Sequence, residues 1–128
     1  MSTQIPADLK YAKSHEWSRI VGDIATVGIT DHAQHELTDI VFVEFPAVGS
    51  VVKAGEACAV VESVKTASDI YAPLSGEIVE VNKSVTDNPA LVNTEPDTGG
   101  WFFKLKLSAP AEAAQLLSAD QYRQQIGG

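Results

Sequence analysis

Cysteine is almost absent from this sequence, and its absence excludes two kinds of structure. The single cysteine, Cys58, cannot form a disulfide within the chain and has no second thiol with which to bind a metal. It lies in the apolar run 57–61, where a buried and unreactive thiol is expected rather than a nucleophile. We therefore expect neither a disulfide framework nor cysteine catalysis.

Long apolar runs and targeting segments are also missing. No stretch approaches the roughly 20 apolar residues that a membrane-spanning helix needs. The start of the sequence has neither the apolar segment of a signal peptide nor the arginine-rich amphipathic pattern of a transit peptide. We expect a cytoplasmic location, with the mitochondrial matrix as the alternative only if a transit peptide was removed.

Basic residues are few. The 9 lysines and arginines are outnumbered by 17 aspartates and glutamates, which leaves a formal net charge of -8. Such a balance repels the phosphate backbone of nucleic acids and the surface of anionic membranes. We therefore expect no nucleic-acid partner and no membrane partner, whereas basic patches on other proteins are suitable docking surfaces.

Motifs for catalysis or metal binding are lacking as well. The sequence has no glycine-rich phosphate-binding loop and no serine–histidine–aspartate order. Two histidines, His32 and His35, lie three residues apart on a predicted helix, but no third ligand accompanies them and their order differs from that of zinc-enzyme motifs. We expect no metal site and no enzymatic activity.

What the sequence does contain is a series of short strand-like runs separated by turn residues. A chain of 128 residues with 45% hydrophobic content can build one modest core. Runs rich in β-branched and aromatic residues predict strands, and these cover residues 18–21, 24–28, 40–45, 57–62, 68–71, 76–81 and 101–107. The pattern predicts a β-rich domain with small helical additions.

Capping residues predict where those helices begin. Asp31 is the predicted N-cap of a first helix, with Gln34 as its reciprocal partner. A helical segment is predicted over residues 108–117, and Ser118 with Gln121 forms a second capping-box pattern directly after it. We therefore expect a short helix near the C-terminus.

Lys65 lies at the centre of a predicted chain reversal. Strand-forming residues occur on both sides, at 60–61 and 70–71, so the chain must turn between them. A lysine at a hairpin tip projects into solvent, where a modifying enzyme can reach its amine and two rigid strands present it in one geometry. For most lysines an unmodified surface residue is the simpler interpretation, but the sequence around Lys65 favours modification.

The segment ESVKTASDIYAPLSGEI, residues 62–78, closely resembles the lipoylation segment of the glycine cleavage system H-protein family. Further family-like motifs follow in order and at matching spacing: KYAKSHEW at 10–17, VGITDHAQ at 27–34, VFVE at 41–44, NPALVN at 88–93 and GGW at 99–101. Together they extend over roughly residues 9–122. Two departures occur, Thr38 where the family commonly has glycine and Thr66 where alanine is common, and neither changes the lysine.

The resemblance implies a fold and a cofactor. The implied fold is mainly β, a barrel-sandwich hybrid of the biotinyl/lipoyl-carrier type with two antiparallel sheets and small helices that include a C-terminal one. It would form a single lipoyl-carrier domain over residues 1–128. Lipoate would be attached covalently to Lys65 as N6-lipoyllysine, which removes the charge of the amine and adds a long flexible arm ending in a dithiolane.

The resemblance also implies a set of partners. A pyridoxal-phosphate-dependent glycine decarboxylase (P-protein) would place the aminomethyl group of glycine on the arm. A tetrahydrofolate-dependent aminomethyltransferase (T-protein) would take the carbon and release ammonia, and a dihydrolipoamide dehydrogenase (L-protein) would then reoxidise the dithiol. A lipoate-attaching enzyme must act before them, and the chain itself would be a non-catalytic carrier.

Further residues follow as candidates from these family-like motifs. A groove that shelters the loaded arm from water needs hydrogen-bond acceptors for the ammonium at its end. Ser14, Glu16 and Asp69 are the candidates for that groove. Glu62 and Gly76, on either side of the lysine, are the candidates for recognition by the lipoate-attaching enzyme.

Other swinging-arm proteins and an unmodified domain are the alternatives. Biotin carriers typically have methionine on both sides of the modified lysine, whereas Val64 and Thr66 are the neighbours here. Lipoyl domains of 2-oxoacid dehydrogenases usually read Asp-Lys-Ala and lack the SHEW segment of residues 14–17. A lipoyl-relay protein that supplies lipoyl groups to other lipoyl domains remains the main alternative, beside an interaction domain whose lysine stays unmodified.

Overall fold

Nine short strands form two antiparallel sheets in the computed structural model, which describes residues 5–127. The strands are β1 (Lys10–Tyr11), β2 (Glu16–Val21), β3 (Ile24–Ile29), β4 (Ile40–Glu44), β5 (Val51–Val52), β6 (Ala57–Ser63), β7 (Ala67–Tyr71), β8 (Gly76–Val81) and β9 (Phe103–Leu107). The six-stranded sheet has the order β1-β2-β3-β9-β8-β5, and the three-stranded sheet has the order β4-β6-β7. Adjacent strands are antiparallel throughout.

The main core lies between the two sheets. Successive side chains of a strand point to opposite faces, so β6 turns Val61 inward and Glu62 outward. Val61 and Ile70 from the three-stranded sheet belong to the same buried cluster as Ile78 and Leu105 from the six-stranded sheet. Burial of each such side chain stabilises the fold by about 1.5–3 kcal/mol, so this apolar layer fixes the two sheets against each other.

The helices are short and connect or cover the sheets. They are α1 (Asp31–Leu37), α2 (Lys83–Asp87), α3 (Leu91–Thr94), a 3-10 helix (Pro110–Gln115) and α4 (Ala119–Gln125). The predicted capping box before α4 is confirmed, since Ser118 accepts from the N–H of Gln121 and Gln121 accepts from the N–H of Ser118. The predicted cap of α1 was wrong by one residue: Thr30 accepts from the N–H of Ala33, at 3.2 Å.

A second buried cluster joins the C-terminal helix to the large sheet. The ring of Tyr122 on α4 stacks on that of Tyr11 on β1, with ring centroids 4.7 Å apart and planes 7° from parallel. Trp17 on β2 lies in the same cluster and is fully buried. The side chain of Trp17 also excludes any side chain at Gly28, because a Cβ there would lie 2.7 Å from the indole ring. The cluster therefore fixes α4 against the edge of the six-stranded sheet formed by β1 and β2.

These features confirm the expected mainly β architecture, two antiparallel sheets with small helices that include a C-terminal one. Residues 5–127 form no closed barrel. No helix within them is long and apolar enough to cross a membrane. The single domain over residues 1–128 stays a prediction, and residues 1–4 and 128 lie outside the described part of the chain.

Candidate functional site

Lys65 lies at the tip of the hairpin formed by β6 and β7. The two strands pair in register up to Glu62 opposite Ala67, and the turn between them exposes both Lys65 and Val64, whose relative exposure is 66%. The strand residues below the turn alternate between the core and solvent, so the hairpin is fixed on one face only. The amine of Lys65 is thus carried on a rigid support and directed away from the core.

Ser63 organises the turn from below. Its hydroxyl oxygen accepts from the N–H of Lys65 at 3.3 Å and from the N–H of Thr66 at 3.2 Å, and the hydroxyl donates to the carbonyl of Thr66 at 3.2 Å. The residue is buried, with 9% relative exposure. Sequence reasoning missed Ser63, although a serine at a strand end is a known signal for side-chain hydrogen bonds to the adjacent backbone.

The segment that leads into β4 supports the same turn. The N–H of Val64 donates to the carbonyl of Asp39 at 3.0 Å. Asn93 holds that segment on both sides, because its amide donates to the carbonyl of Thr38 at 2.9 Å and its carbonyl oxygen accepts from the N–H of Ile40 at 2.9 Å. The turn that carries Lys65 is therefore connected to α3, a contact that no local sequence pattern indicates.

A surface groove lies between α1 and β7, next to the hairpin. Its volume is about 160 Å³. Ser14 and Asp69, two of the predicted groove residues, are in its wall, together with the apolar side chains of Ile29, Ala33 and Leu37. The groove thus combines apolar side chains with polar ones, and its wall includes a second carboxylate, that of Glu36.

Glu16, the third predicted groove residue, lies behind the wall and not in it. It is 1% exposed, and its carboxylate accepts hydrogen bonds from the hydroxyl of Ser14 and from the N–H of Tyr71, the latter at 3.0 Å. Burial raises the pKa of Glu16 from 4.5 to about 7, although both hydrogen bonds favour the charged form and lower the pKa. The structure therefore joins Glu16 to the groove through Ser14.

His15 closes the groove on the side of α4. Its backbone has φ +78°, and its Nδ1 lies 2.7 Å from the hydroxyl of Tyr122, which also lies 2.7 Å from Oγ1 of Thr30. Burial and the neighbouring His32 lower the pKa of His15, and burial raises the pKa of Tyr122 to about 12. The polar network at this end of the groove is therefore neutral at pH 7.

The two residues predicted to guide a lipoate-attaching enzyme lie in different surroundings. Glu62 is exposed on β6, opposite Phe42 of β4 and Ala67 of β7. Gly76 is buried in β8, where a side chain would collide with the carbonyl of Lys106 on β9. The close approach of β8 to β9 explains why glycine is needed at position 76. No packing contact of this kind requires a glutamate at position 62.

The remaining candidate side chains lie apart from the hairpin tip. His35 Nε2 is 3.4 Å from Asp31 Oδ1, and His15 packs on His32 with ring centroids 5.0 Å apart. Within residues 5–127 no three His, Cys, Asp or Glu side chains are arranged to hold a metal ion. The thiol of Cys58 is half-buried, lies 3.5 Å from the carbonyl of Ile70, and has a pKa that burial raises to about 12.

Comparison with known proteins gives a consistent result over almost the whole chain. Residues 9–127 match the family model described as Glycine cleavage H-protein. The chain is 56% identical over 124 residues to the glycine cleavage system H protein of Alcanivorax borkumensis, with 97% of each chain covered. It is 59% identical over 121 residues to that of Escherichia coli O7:K1, with 94% of each covered.

A solved structure agrees with the sequence comparison. The crystal structure of a glycine cleavage system H protein from Mycobacterium marinum superposes with a TM-score of 0.90 at 45% identity, and the match covers 97% of this chain and 100% of that one. Sheets, hairpin and sequence motifs therefore point to one family. The chain belongs to the glycine cleavage H-protein family.

Proposed function

We propose that this chain is the lipoyl carrier of glycine cleavage and that lipoate is attached to Lys65. The observation that carries the proposal is the exposed Lys65 at the tip of the β6–β7 hairpin, inside the segment that resembles the family's lipoylation site. An amide on its Nζ removes one positive charge at a solvent-exposed position, so attachment requires no rearrangement of the core. The residues present therefore fit the group.

The chain works as a carrier and not as an enzyme. When bound, the lipoyl group supplies the dithiolane sulfurs on which the one-carbon unit of glycine is held. The chain contributes a rigid hairpin that sets where the arm begins, and the tether raises the effective concentration of the arm near each partner's active site.

The groove beside α1 is proposed as the shelter of the loaded arm. Asp69 lies four residues after Lys65, which is at most about 13 Å along an extended strand. Asp69 and Ser14 would accept hydrogen bonds from the cationic end of the arm, and Glu16 would orient the hydroxyl of Ser14 from behind. The apolar side chains of Ile29 and Leu37 would reduce the access of water to that end.

The partners follow from the family. Glycine cleavage uses the glycine decarboxylase, the aminomethyltransferase and the dihydrolipoamide dehydrogenase, which would meet the arm in turn. A lipoate-attaching enzyme is a further proposed partner, with exposed Glu62 in its contact surface and Gly76 acting through the packing of β8 on β9. The exposed apolar side chains nearest the turn, Val41, Phe42 and Val64, lie where such partners must approach.

A cytoplasmic location remains part of the proposal. Two of the similar proteins described above come from the bacteria Alcanivorax borkumensis and Escherichia coli. Fractionation of a producing cell, followed by detection of the lipoylated chain, tests this location directly.

Intact-mass measurement tests the attachment site. Protein made in a cell that lipoylates its own proteins should carry one lipoyl increment, which should vanish in Lys65→Arg and persist in the control Lys53→Arg. Lys53 is also an exposed lysine, and arginine keeps the charge in both variants. A biotin increment, or no increment on the wild-type chain, would contradict the proposal.

A second assay tests the carrier role itself. With purified glycine decarboxylase, the lipoylated chain should support exchange of the glycine carboxyl carbon with bicarbonate, and Lys65→Arg should not. A lipoylated chain that donates its lipoyl group to other lipoyl domains but supports no exchange would identify a relay protein instead.

A further inference from the structure

We propose that Ser63 is a positioning residue for the lipoylation of Lys65: its hydroxyl fixes the backbone of the turn in the geometry that the acylating enzyme recognises. The inference rests on the proposed attachment of lipoate to Lys65. It assigns a role in lipoylation to a residue whose side chain does not contact the acyl group. Ser63 acts on Lys65 only through the conformation of the turn.

The hydroxyl of Ser63 uses its full hydrogen-bonding capacity within the turn. A hydroxyl has one donor and two acceptor positions. Here the two acceptor positions take the N–H groups of Lys65 and Thr66, at 3.3 and 3.2 Å, and the donor is directed at the carbonyl of Thr66, at 3.2 Å. No capacity is left for other contacts, so the side chain serves the turn alone.

Every backbone N–H of the turn has a partner inside the protein. The N–H of Ser63 donates to the carbonyl of Thr66 at 2.8 Å, and the N–H of Val64 donates to the carbonyl of Asp39 at 3.0 Å. The N–H groups of Lys65 and Thr66 both reach Ser63. In an exposed turn, water could accept hydrogen bonds from these N–H groups, so the fold does not need internal partners for them. The internal hydrogen bonds therefore have a further effect: they fix the direction of the Lys65 Cα–Cβ bond.

The chemistry of acylation explains why an ordered turn matters. The deprotonated Nζ of Lys65 attacks the carbonyl carbon of an activated lipoyl group, such as the lipoyl–AMP mixed anhydride. The C–N amide bond forms, the bond between the acyl carbon and the phosphate oxygen breaks, AMP leaves, and Nζ releases its proton to solvent. The enzyme must hold the attacking nitrogen near the carbonyl carbon, and a turn that is already ordered lowers the entropy lost when the complex forms.

Loss of the hydroxyl should therefore weaken recognition more than it slows the chemistry. In Ser63→Ala the N–H groups of Lys65 and Thr66 lose their partner, and the free turn samples several conformations. The enzyme then selects the competent one, so the KM for the carrier should rise about tenfold. Once bound, the lysine is in the same position, so kcat should stay within about twofold of the wild-type value.

The test uses the purified chain without its lipoyl group, a lipoate ligase, free lipoate and ATP. Initial rates give kcat and KM for wild type, Ser63→Ala, Ser63→Thr and Thr66→Val. Ser63→Thr keeps the hydroxyl and should restore the wild-type KM. Thr66→Val removes an exposed hydroxyl of the same turn, whose one bond to the carbonyl of Ala67 is 3.4 Å long, and is the matched control.

Two further measurements separate positioning from general damage. Melting temperatures should show that Ser63→Ala is folded at the assay temperature, and the exchange rates of the Lys65 and Thr66 amide hydrogens should rise in that variant. Acylation of Lys65 by acetic anhydride, read by peptide mass, should proceed at the wild-type rate because a small reagent needs no ordered turn. If Ser63→Ala does not fold, Ser63→Cys replaces it, since a thiol keeps the volume but accepts hydrogen bonds weakly.

The outcomes separate this inference from the function on which it rests. A wild-type KM for a folded Ser63→Ala variant with faster amide exchange would overturn the role of Ser63, while lipoylation of Lys65 would stand. Equal loss in Thr66→Val would also overturn it, because any change in the turn would then suffice. A wild-type chain that is never acylated at Lys65 would overturn the proposed function itself.

Discussion

The carboxylate of Glu16 on β2 accepts a 3.0 Å hydrogen bond from the backbone N–H of Tyr71 at the end of β7. The bond joins the six-stranded sheet to the three-stranded sheet that carries the lysine hairpin. Because Glu16 is almost completely buried, this contact between sheets depends on the protonation of one group. It therefore couples the stability of the fold to pH.

The contribution of Glu16 to the stability of the chain should fall as pH rises from about 5 to about 8. Burial raises the pKa of Glu16 from 4.5 to about 7, so the folded chain binds the proton more tightly than the unfolded chain does. This contribution is complete below pH 4.5 and is lost as the pH passes through 7. Relative to Glu16→Gln, which does not titrate, the free energy of unfolding of the wild type should decrease by up to about 3 kcal/mol.

Denaturant titrations of both chains at several pH values measure this difference. Burial also raises the pKa of Asp97 to about 6, with the same sign, but that residue is present in both chains and cancels in the comparison. A difference between the two chains that does not change with pH would show that Glu16 titrates as an exposed carboxylate.

Removal of the Asp69 carboxylate, one of two in the wall of the groove, should shorten the life of the loaded arm. In Asp69→Asn, the amide cannot neutralise the cationic end, so the one-carbon unit should be lost to water several-fold faster than in the wild type. Glu77→Gln, which changes an exposed carboxylate on β8, should show the wild-type rate. Release of formaldehyde from the isolated loaded carrier measures the rate, and equal rates for all three chains would exclude the groove as a shelter.

Thr38 is held in a backbone conformation that suits glycine, and Thr38→Gly should stabilise the chain. Its φ of 68° and ψ of -150° fall in a region that is essentially restricted to glycine and costs other residues about 1–3 kcal/mol. Allowing for the greater entropy of unfolded glycine, the free energy of unfolding should rise by about 1 kcal/mol.

Denaturant unfolding of a matched control separates relief of strain from a general effect of glycine. Thr86→Gly, at an exposed position within α2, should lower the stability slightly, because glycine is a poor helix former. Should both variants lose stability, the backbone at Thr38 carries no strain.

Gly76→Ala should impair lipoylation through folding and not through recognition. A Cβ at this position would collide with the carbonyl of Lys106, and relief of the collision requires β8 to separate from β9. We expect a loss of about 2 kcal/mol and a melting temperature lower by roughly 5–10 °C. Glu62→Gln should have the opposite profile, with an unchanged melting temperature and slower lipoylation.

Paired melting curves and ligase kinetics test this contrast. At a temperature at which Gly76→Ala is folded, its kcat/KM as a substrate should return close to the wild-type value. A fully folded Gly76→Ala chain that the ligase ignores would instead identify Gly76 as part of the recognised surface.

Local patterns in the sequence predicted the longer strands and the chain reversal at Lys65, but they missed the short elements β1, β5, α2 and α3. Strand-forming residues at 60–61 and 70–71 predicted β6 and β7 to within one residue at each inner end, because strand propensity is a local property of the sequence. The capping box of Ser118 and Gln121 was likewise predicted, since its hydrogen bonds link residues three apart. The cap of α1 was misassigned because Thr30 and Asp31 are both good cap residues and adjacent.

The sequence by itself determined that this chain is a β-rich carrier with a lysine at a hairpin tip. Tertiary structure decided what surrounds that lysine. Only the packing of the two sheets makes Glu16 a buried partner of Tyr71, and only the path of the chain from α1 to β4 brings the carbonyl of Asp39 to the turn. Such contacts join residues far apart in the chain, and their free energy depends on burial and distance, which no local pattern of residues specifies.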